Sequence, residues 1–158
     1  MLEVVSAAII TRFDDCPRIL LTQRASGVSF PWHWCTPGGK VEKIKRGDVE
    51  TSEGLLDALA RELREEISLH ADPGMFGMVP IYEHIGKRKF VDAPFRLSCF
   101  QLRLRKISPE IRPMLSQSVV GMGWFAQHEL DWINLAGADK EKVGILKALL
   151  WNFGKESV

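Results

Sequence analysis

The chain has 158 residues, 46% of them hydrophobic and 26% charged, with a formal net charge of +1 and a pI near 7.8. That length suits one domain, spanning residues 1–158, with a core of its own. The near-neutral balance argues against a dedicated nucleic-acid binder, which would be strongly basic. No apolar run is long enough to cross a membrane, and Met1-Leu2-Glu3 lacks the basic start and cleavage site of a signal peptide. A cytoplasmic protein with no stable nucleic-acid partner and no membrane partner, monomeric or homodimeric, is the expectation.

In chain order, residues 4–11 and 19–23 read as strands joined by a turn at Asp14-Asp15-Cys16-Pro17, since β-branched and apolar residues are bounded there by turn formers. Phe30-Pro31-Trp32-His33-Trp34 then leads into Pro37-Gly38-Gly39. Residues 53–69 read as a helix: at about 100° per residue, Leu56, Leu59, Ala60, Leu63 and Ile67 share one flank, the apolar stripe of a helix packed on a sheet. Residues 78–85 and 95–105 look like strands flanking a basic turn at Lys87-Arg88-Lys89, and residues 119–125 like another. Residues 140–151 form a helical pattern, with Asp139 as its N-cap. Strands with one helix early and one at the end suggest a layered α/β/α domain.

Within the first helix, Glu62, Glu65 and Glu66 fall on one arc about 100° wide, at three- and four-residue steps. Like charges at that spacing repel, so a helix built only for stability would scatter them or interleave lysines. A hard divalent cation resolves the crowding. Mg²⁺ and Mn²⁺ prefer oxygen ligands, and Mg²⁺ commonly bridges one or two carboxylates to substrate phosphates. The competing reading is a solvated acidic face.

The segment Gly47-x5-Glu53-x7-Arg61-Glu62-Leu63-x-Glu65-Glu66-x-Ser68-Leu69 resembles the Nudix box, Gly-x5-Glu-x7-Arg-Glu-hydrophobic-x-Glu-Glu-x-Gly-hydrophobic. Ser68 stands where that family has the Gly that ends its helix in a left-handed turn. The family's box glycine closes a Pro-Gly-Gly loop followed closely by Glu. Pro37-Gly38-Gly39-Lys40-Val41-Glu42 looks like that loop, so the favoured account is an insertion at residues 43–50 with Gly47 matching by chance, and the literal match at Gly47 stays the alternative. A metal loop needs close backbone approach, which a Gly-Gly pair supplies.

The resemblance implies a Nudix-type α/β/α sandwich with a mixed sheet. It also implies water attack on a nucleoside diphosphate linked to another group, with Mg²⁺ or Mn²⁺ as cofactor and a small nucleotide as substrate. By position it makes Glu62, Glu65 and Glu66 metal ligands, together with a carbonyl of Gly38 or Gly39. Glu53 matches the Glu at the helix start, and Arg61 the arginine that holds a box carboxylate. The general base falls to Glu65 or Glu66. The family's alternative is an acid before a late Trp-hydrophobic strand; that strand looks like Gly123-Trp124-Phe125, Ser116-Gln117-Ser118 before it carries no acid, and Glu110 is the nearest earlier one. Arg24 resembles an arginine near the phosphates. Trp34 matches the aromatic of the W-x-x-P-G-G run, and with Trp32 could stack on a base; both are taken as substrate-binding, against core packing.

The favoured activity is a nucleoside triphosphate pyrophosphohydrolase that releases pyrophosphate. The alternatives are a pyrophosphatase acting on ADP-ribose, a nucleotide sugar, a dinucleoside polyphosphate or coenzyme A, and a non-catalytic nucleotide-binding module of the same fold. Cys16, Cys35 and Cys99, odd in number and without a CxxC, read as reduced thiols, with Cys35 either reactive or a small buried hydrophobe. His33, His70, His84 and His128 show no metal spacing. Residues 43–50 are a candidate flap over the phosphates.

Overall fold

A computed structural model describes residues 1–88, 91–116 and 118–156. β1 (Leu2–Phe13) and β2 (Cys16–Arg24) form a hairpin whose turn is only Asp14 and Asp15, both left-handed at φ 49° and 61°. Two left-handed residues match the right-handed twist of the paired strands. Cys16 and Pro17, expected in the turn, begin β2 instead. β1 lies at the centre of a seven-stranded mixed sheet, antiparallel to β2 and parallel to β8 (Val91–Arg103), which pairs with β7 (Tyr82–Arg88).

β1 and β2 stay paired only from Ile9↔Leu20 to Phe13↔Cys16. Beyond that they diverge, and residues 34–40 enter the fork. There β3 (Trp34–Cys35) pairs with β2 at Thr22 and Gln23, while β4 (Gly38–Lys40) pairs with β1 at Val4, Val5 and Ser6. β9 (Val119–Ala126) also runs along β2.

Alternate residues of β1 serve two cores. Val5, Ala7 and Ile9 meet α1 (Leu55–Ile67) through Leu59, Leu63 and Ile67, all buried. Ala8 and Ile10 face Leu146 and Leu150 of α3 (Val143–Lys155). Covering both faces explains why β1 reads as a continuous apolar run. The α/β/α sandwich with a mixed sheet is therefore as expected.

Further boundaries also differ from the sequence reading. Residues 78–81 precede β7, and Met78 and Val79 are 88% and 76% exposed. Their apolar character was read as strand, but pairing begins at Tyr82↔Cys99. Lys87 and Arg88 prolong β7 instead of turning, and Lys89 lies outside the described residues. The C-terminal helix is two helices, α2 (Gly137–Glu141) and α3, with a break at Lys142 (φ −102°, ψ 16°). Asp139 lies inside α2, buried, and makes no N-cap because its carboxylate is taken up by long-range hydrogen bonds.

The insertion forms an exposed two-stranded ribbon, β5 (Lys43–Arg46) and β6 (Val49–Ser52), with Gly47 left-handed at φ 64° in its turn. α1 ends at Ser68 in the left-handed conformation (φ 54°, ψ 25°), its N–H bonded to the Leu63 carbonyl. Serine thus reproduces the turn expected of glycine, at a cost of about 1 kcal/mol. Ser68→Gly should stabilise the protein by about 0.5 kcal/mol, net of the greater unfolded-state entropy of glycine, as measured by urea denaturation; a loss of stability would show that the turn is not strained.

Candidate active site

The helix spacing that places Leu59, Leu63 and Ile67 in the core turns Glu62 and Glu66 toward β4. Glu66 Oε2 accepts a hydrogen bond from the Gly38 amide at 3.2 Å. A Cβ on Gly39 would lie 2.2 Å from Glu62 Cδ and 2.4 Å from each of its oxygens, so any larger residue there would displace the Glu62 carboxylate. A Cβ on Gly38 would meet the Val5 carbonyl at 2.0 Å, against β1. A Cβ on Gly47 would meet nothing within 4 Å beyond its chain neighbours among the described residues. Gly39, and not Gly47, is therefore the glycine that packs against the acidic helix, and Gly47 serves the ribbon turn.

Arg61 stands among four carboxylates. Its guanidinium donates to Glu53 Oε1 at 2.6 Å, Glu62 Oε1 at 3.0 Å, Glu65 Oε2 at 3.3 Å and the Lys40 carbonyl at 2.9 Å, and lies 3.5 Å from Glu42 Oε1. Glu42 is a partner the sequence reading did not assign. Its amide donates to Glu53 Oε1 at 2.8 Å while the Glu53 amide donates to its carbonyl at 2.9 Å, closing the base of the ribbon beside the acidic turn.

This arrangement divides the carboxylates. Hydrogen bonding to Arg61 holds Glu53 below the usual carboxylate range. Burial pushes Glu62 up despite the same arginine. Among the described residues no cation contacts Glu66 directly, and burial raises it to about 8, against the pull of the Gly38 amide and the more distant charge of Arg24. Glu65 is 56% exposed. Among the described residues no three Asp, Glu, His or Cys side chains converge closely enough to hold a metal by themselves. The donor set nevertheless fits one: two desolvated, undercompensated carboxylates lie against a glycine strand, with Glu65 one turn away. A small oxygen-seeking cation would relieve that unfavourable charge.

The remaining candidates are dispersed. Arg24 donates to Ser29 O at 2.6 Å and Ser29 Oγ at 3.0 Å, and its Nη1 lies 3.9 Å from Cys35 Sγ. Trp34 packs edge-on against Phe125 at 4.9 Å and is half-buried, whereas Trp32 is 57% exposed. Trp32 and Phe30 are both left-handed, at φ 64° and 50°, and Phe30 is 51% exposed. Burial lifts the Cys35 thiol to about 11, which suits the small buried hydrophobe and not a reactive thiol. Glu110 is exposed, and Ser116 Oγ accepts from the amides of Ser118 and Val119; Gln117 lies outside the described residues. Glu129, after the Trp124 strand, accepts from the Ala126 amide and Arg18. A cleft of about 510 Å³ lined by Pro17, His128, Asp131 and Trp151 lies on the α3 side and contains none of the box carboxylates.

Glu66 gives the metal-free protein a pH signature. With its folded pKa near 8 and a reference of 4.5, the folded state binds more protons between those values, so stability falls as pH rises through that window. Glu53 has the opposite sign: its contribution is present above 4.5 and is lost as pH falls through its lowered folded value. In EDTA, Glu66→Gln should match the parent near pH 5 and exceed it by about 2–4 kcal/mol at pH 8. Parallel urea-denaturation curves across that range would refute it.

A NUDIX domain model matches residues 2–149. Human m7GpppN-mRNA hydrolase NUDT17 is 40% identical over 78 residues, 49% of this chain and only 21% of that protein. The NUDIX domain of Shewanella oneidensis NrtR, solved with ADP ribose, superposes with a TM-score of 0.71 at 18% identity, covering 95% of this chain and 88% of that one. The E. coli ORF135 protein superposes with a TM-score of 0.67 at 26% identity, covering 99% and 95% of the two chains. With that domain spanning nearly the whole sequence and the overall fold shared with these structures, the chain belongs to the Nudix hydrolase family.

Proposed function

We propose that the chain hydrolyses a phosphoric anhydride bond in a nucleoside diphosphate linked to another group, with Mg²⁺ or Mn²⁺ as cofactor. Glu62, Glu65, Glu66 and a carbonyl of Gly38 or Gly39 would hold the ion. The observation that carries this is the approach of Glu62 and Glu66 to the glycine strand, with neither carboxylate fully compensated. A bound divalent ion supplies neutralisation of charge developing on the phosphate oxygens.

The chain's own residues set the geometry around it. Arg61 orients Glu62 and Glu65, and Glu53 fixes Arg61 in turn. The proton of the attacking water passes to Glu66 or Glu65. Glu66 is anchored by the Gly38 amide, whereas Glu65 is the more exposed and is held by Arg61. Arg24 would have to leave Ser29 to reach a phosphate, and exposed Trp32 offers a face for a base. Trp34, packed on Phe125 and bonded through its backbone to Asn134 and Ala136, supports the site and would touch substrate only at its rim.

Among substrates, a nucleoside triphosphate cleaved to release pyrophosphate is the favoured reading. A second, a larger capped or diphosphate-linked nucleotide, draws on the human relative named for acting on m7GpppN-mRNA. The non-catalytic alternative is disfavoured because all four box glutamates are present: Glu53, Glu62 and Glu65 gather on Arg61, and Glu66 meets the Gly38 amide.

A panel of nucleoside triphosphates, ADP-ribose, nucleotide sugars, coenzyme A and capped RNA, assayed with Mg²⁺ and Mn²⁺ and with products identified, separates these. On the best substrate, Glu66→Gln and Glu65→Gln should each lower kcat, the base by about 100-fold or more. Unchanged turnover in both folded variants would overturn the catalytic assignment. Gly39→Ala should lower kcat/KM at least 100-fold by displacing Glu62. Gly47→Ala should cost about 1 kcal/mol of stability and leave kcat/KM within twofold. Equal losses in the two would show that the glycine strand does not seat the carboxylate.

A further inference from the structure

We propose that Asp139 is a positioning residue for the glycine strand, acting from the C-terminal helices through Thr36. It lies in α2, 103 residues from Thr36 in sequence, and is 5% exposed. Three donors converge on its carboxylate. The Thr36 amide reaches Oδ2 at 2.7 Å, the Thr36 hydroxyl lies 3.0 Å from both oxygens, and the Tyr82 hydroxyl reaches Oδ1 at 2.6 Å.

The contact is one of several that fasten this stretch. The Trp34 amide donates to the Asn134 carbonyl at 2.7 Å, and the Ala136 amide donates to the Trp34 carbonyl at 2.8 Å. Thr36 is followed by Pro37, whose carbonyl accepts from the Ala7 amide at 2.9 Å, and then by Gly38, whose amide holds Glu66 at 3.2 Å. Only Pro37 therefore separates the residue held by Asp139 from the glycine whose amide fixes Glu66. Proline stiffens the intervening link by fixing its own φ.

Thr36 sits in the fork where β1 and β2 part, between β3 and β4, so its amide belongs to neither strand ladder. A buried amide in that place needs an acceptor. Asp139 supplies it and in doing so sets how far the strand advances into the fork. Loss of the carboxylate would leave a buried donor unmet and let residues 36–39 shift relative to α1. Residues that orient ligands from outside a metal site commonly change metal affinity 10–100-fold when replaced.

The metal arm of this proposal rests on the functional reading above, and the amide arm does not. In the full-length protein, Asp139→Asn should speed hydrogen exchange of the Gly38 amide at least tenfold without metal while the Ile9 and Ile10 amides of β1 keep their parent rates. It should weaken Mn²⁺ binding, measured by calorimetry without nucleotide, at least tenfold. Thr36→Val removes the hydroxyl bond alone and should weaken Mn²⁺ severalfold. Tyr82→Phe removes a bond to the same carboxylate without touching Thr36, and should lower Tm with Gly38 exchange and Mn²⁺ affinity within twofold of the parent. If Asp139→Asn does not fold, Thr36→Val and Tyr82→Phe decide. Parent-like Gly38 exchange in folded Asp139→Asn, or Thr36→Val and Tyr82→Phe behaving alike in both readouts, overturns the proposal. Should the parent bind no Mn²⁺, the functional reading falls, and Gly38 exchange still decides the role of Asp139.

Discussion

The passage of a glycine strand within contact distance of two helix carboxylates is the constraint from which the rest of the site follows. At Gly39 a single added carbon would occupy the space of the Glu62 carboxylate, and at Gly38 it would strike the β1 backbone. The strand is thus pressed between the central strand and the acidic helix, with room for backbone alone. That closeness removes water from Glu66, so that the Gly38 amide becomes its direct partner.

The electrostatics express the same closeness. One guanidinium cannot neutralise five carboxylates, and Arg61 is committed to Glu42, Glu53, Glu62 and Glu65, leaving Glu66 to a backbone amide and the distant Arg24. In a partly desolvated setting an uncompensated carboxylate is unfavourable. A structure selected only for stability would have placed a second cation there or moved the acid to the surface. The undercompensation makes chemical sense if a cation arrives from solution.

The sheet gives this strand its place. β1 and β2 separate after five paired positions, and residues 34–40 fill the fork with contacts on every side: Thr22 and Gln23 of β2, Val4 to Ser6 of β1, α1 through the carboxylates, and residues 134–139 through Trp34 and Thr36. The chain's last third thereby reaches the glycine strand. The two cysteines nearest this buried polar cluster, Cys35 and Cys99, are held at about 11 and 12 by burial, which leaves them as space-filling thiols.

The sequence by itself determined the acidic helix and its two faces. The 3.6-residue period dictates which residues enter the core and which carboxylates share an arc, and both follow from local geometry. It also marked the Pro-Gly-Gly run and five of the seven sheet strands, among them β1, whose burial on both faces leaves a continuous apolar imprint, but not the short β3 and β4. Only the tertiary structure decided that Gly39 and not Gly47 meets Glu62, since close approach is a relation between segments and spacing cannot express it. It likewise moved Asp139 from a helix cap to a buried partner of Thr36 and Tyr82, turned Arg24 toward Ser29 and set Trp34 against Phe125. In each case a polar or aromatic side chain with several short-range options was captured by a partner distant in sequence, and the energy that chose among them exists only once the chain has folded.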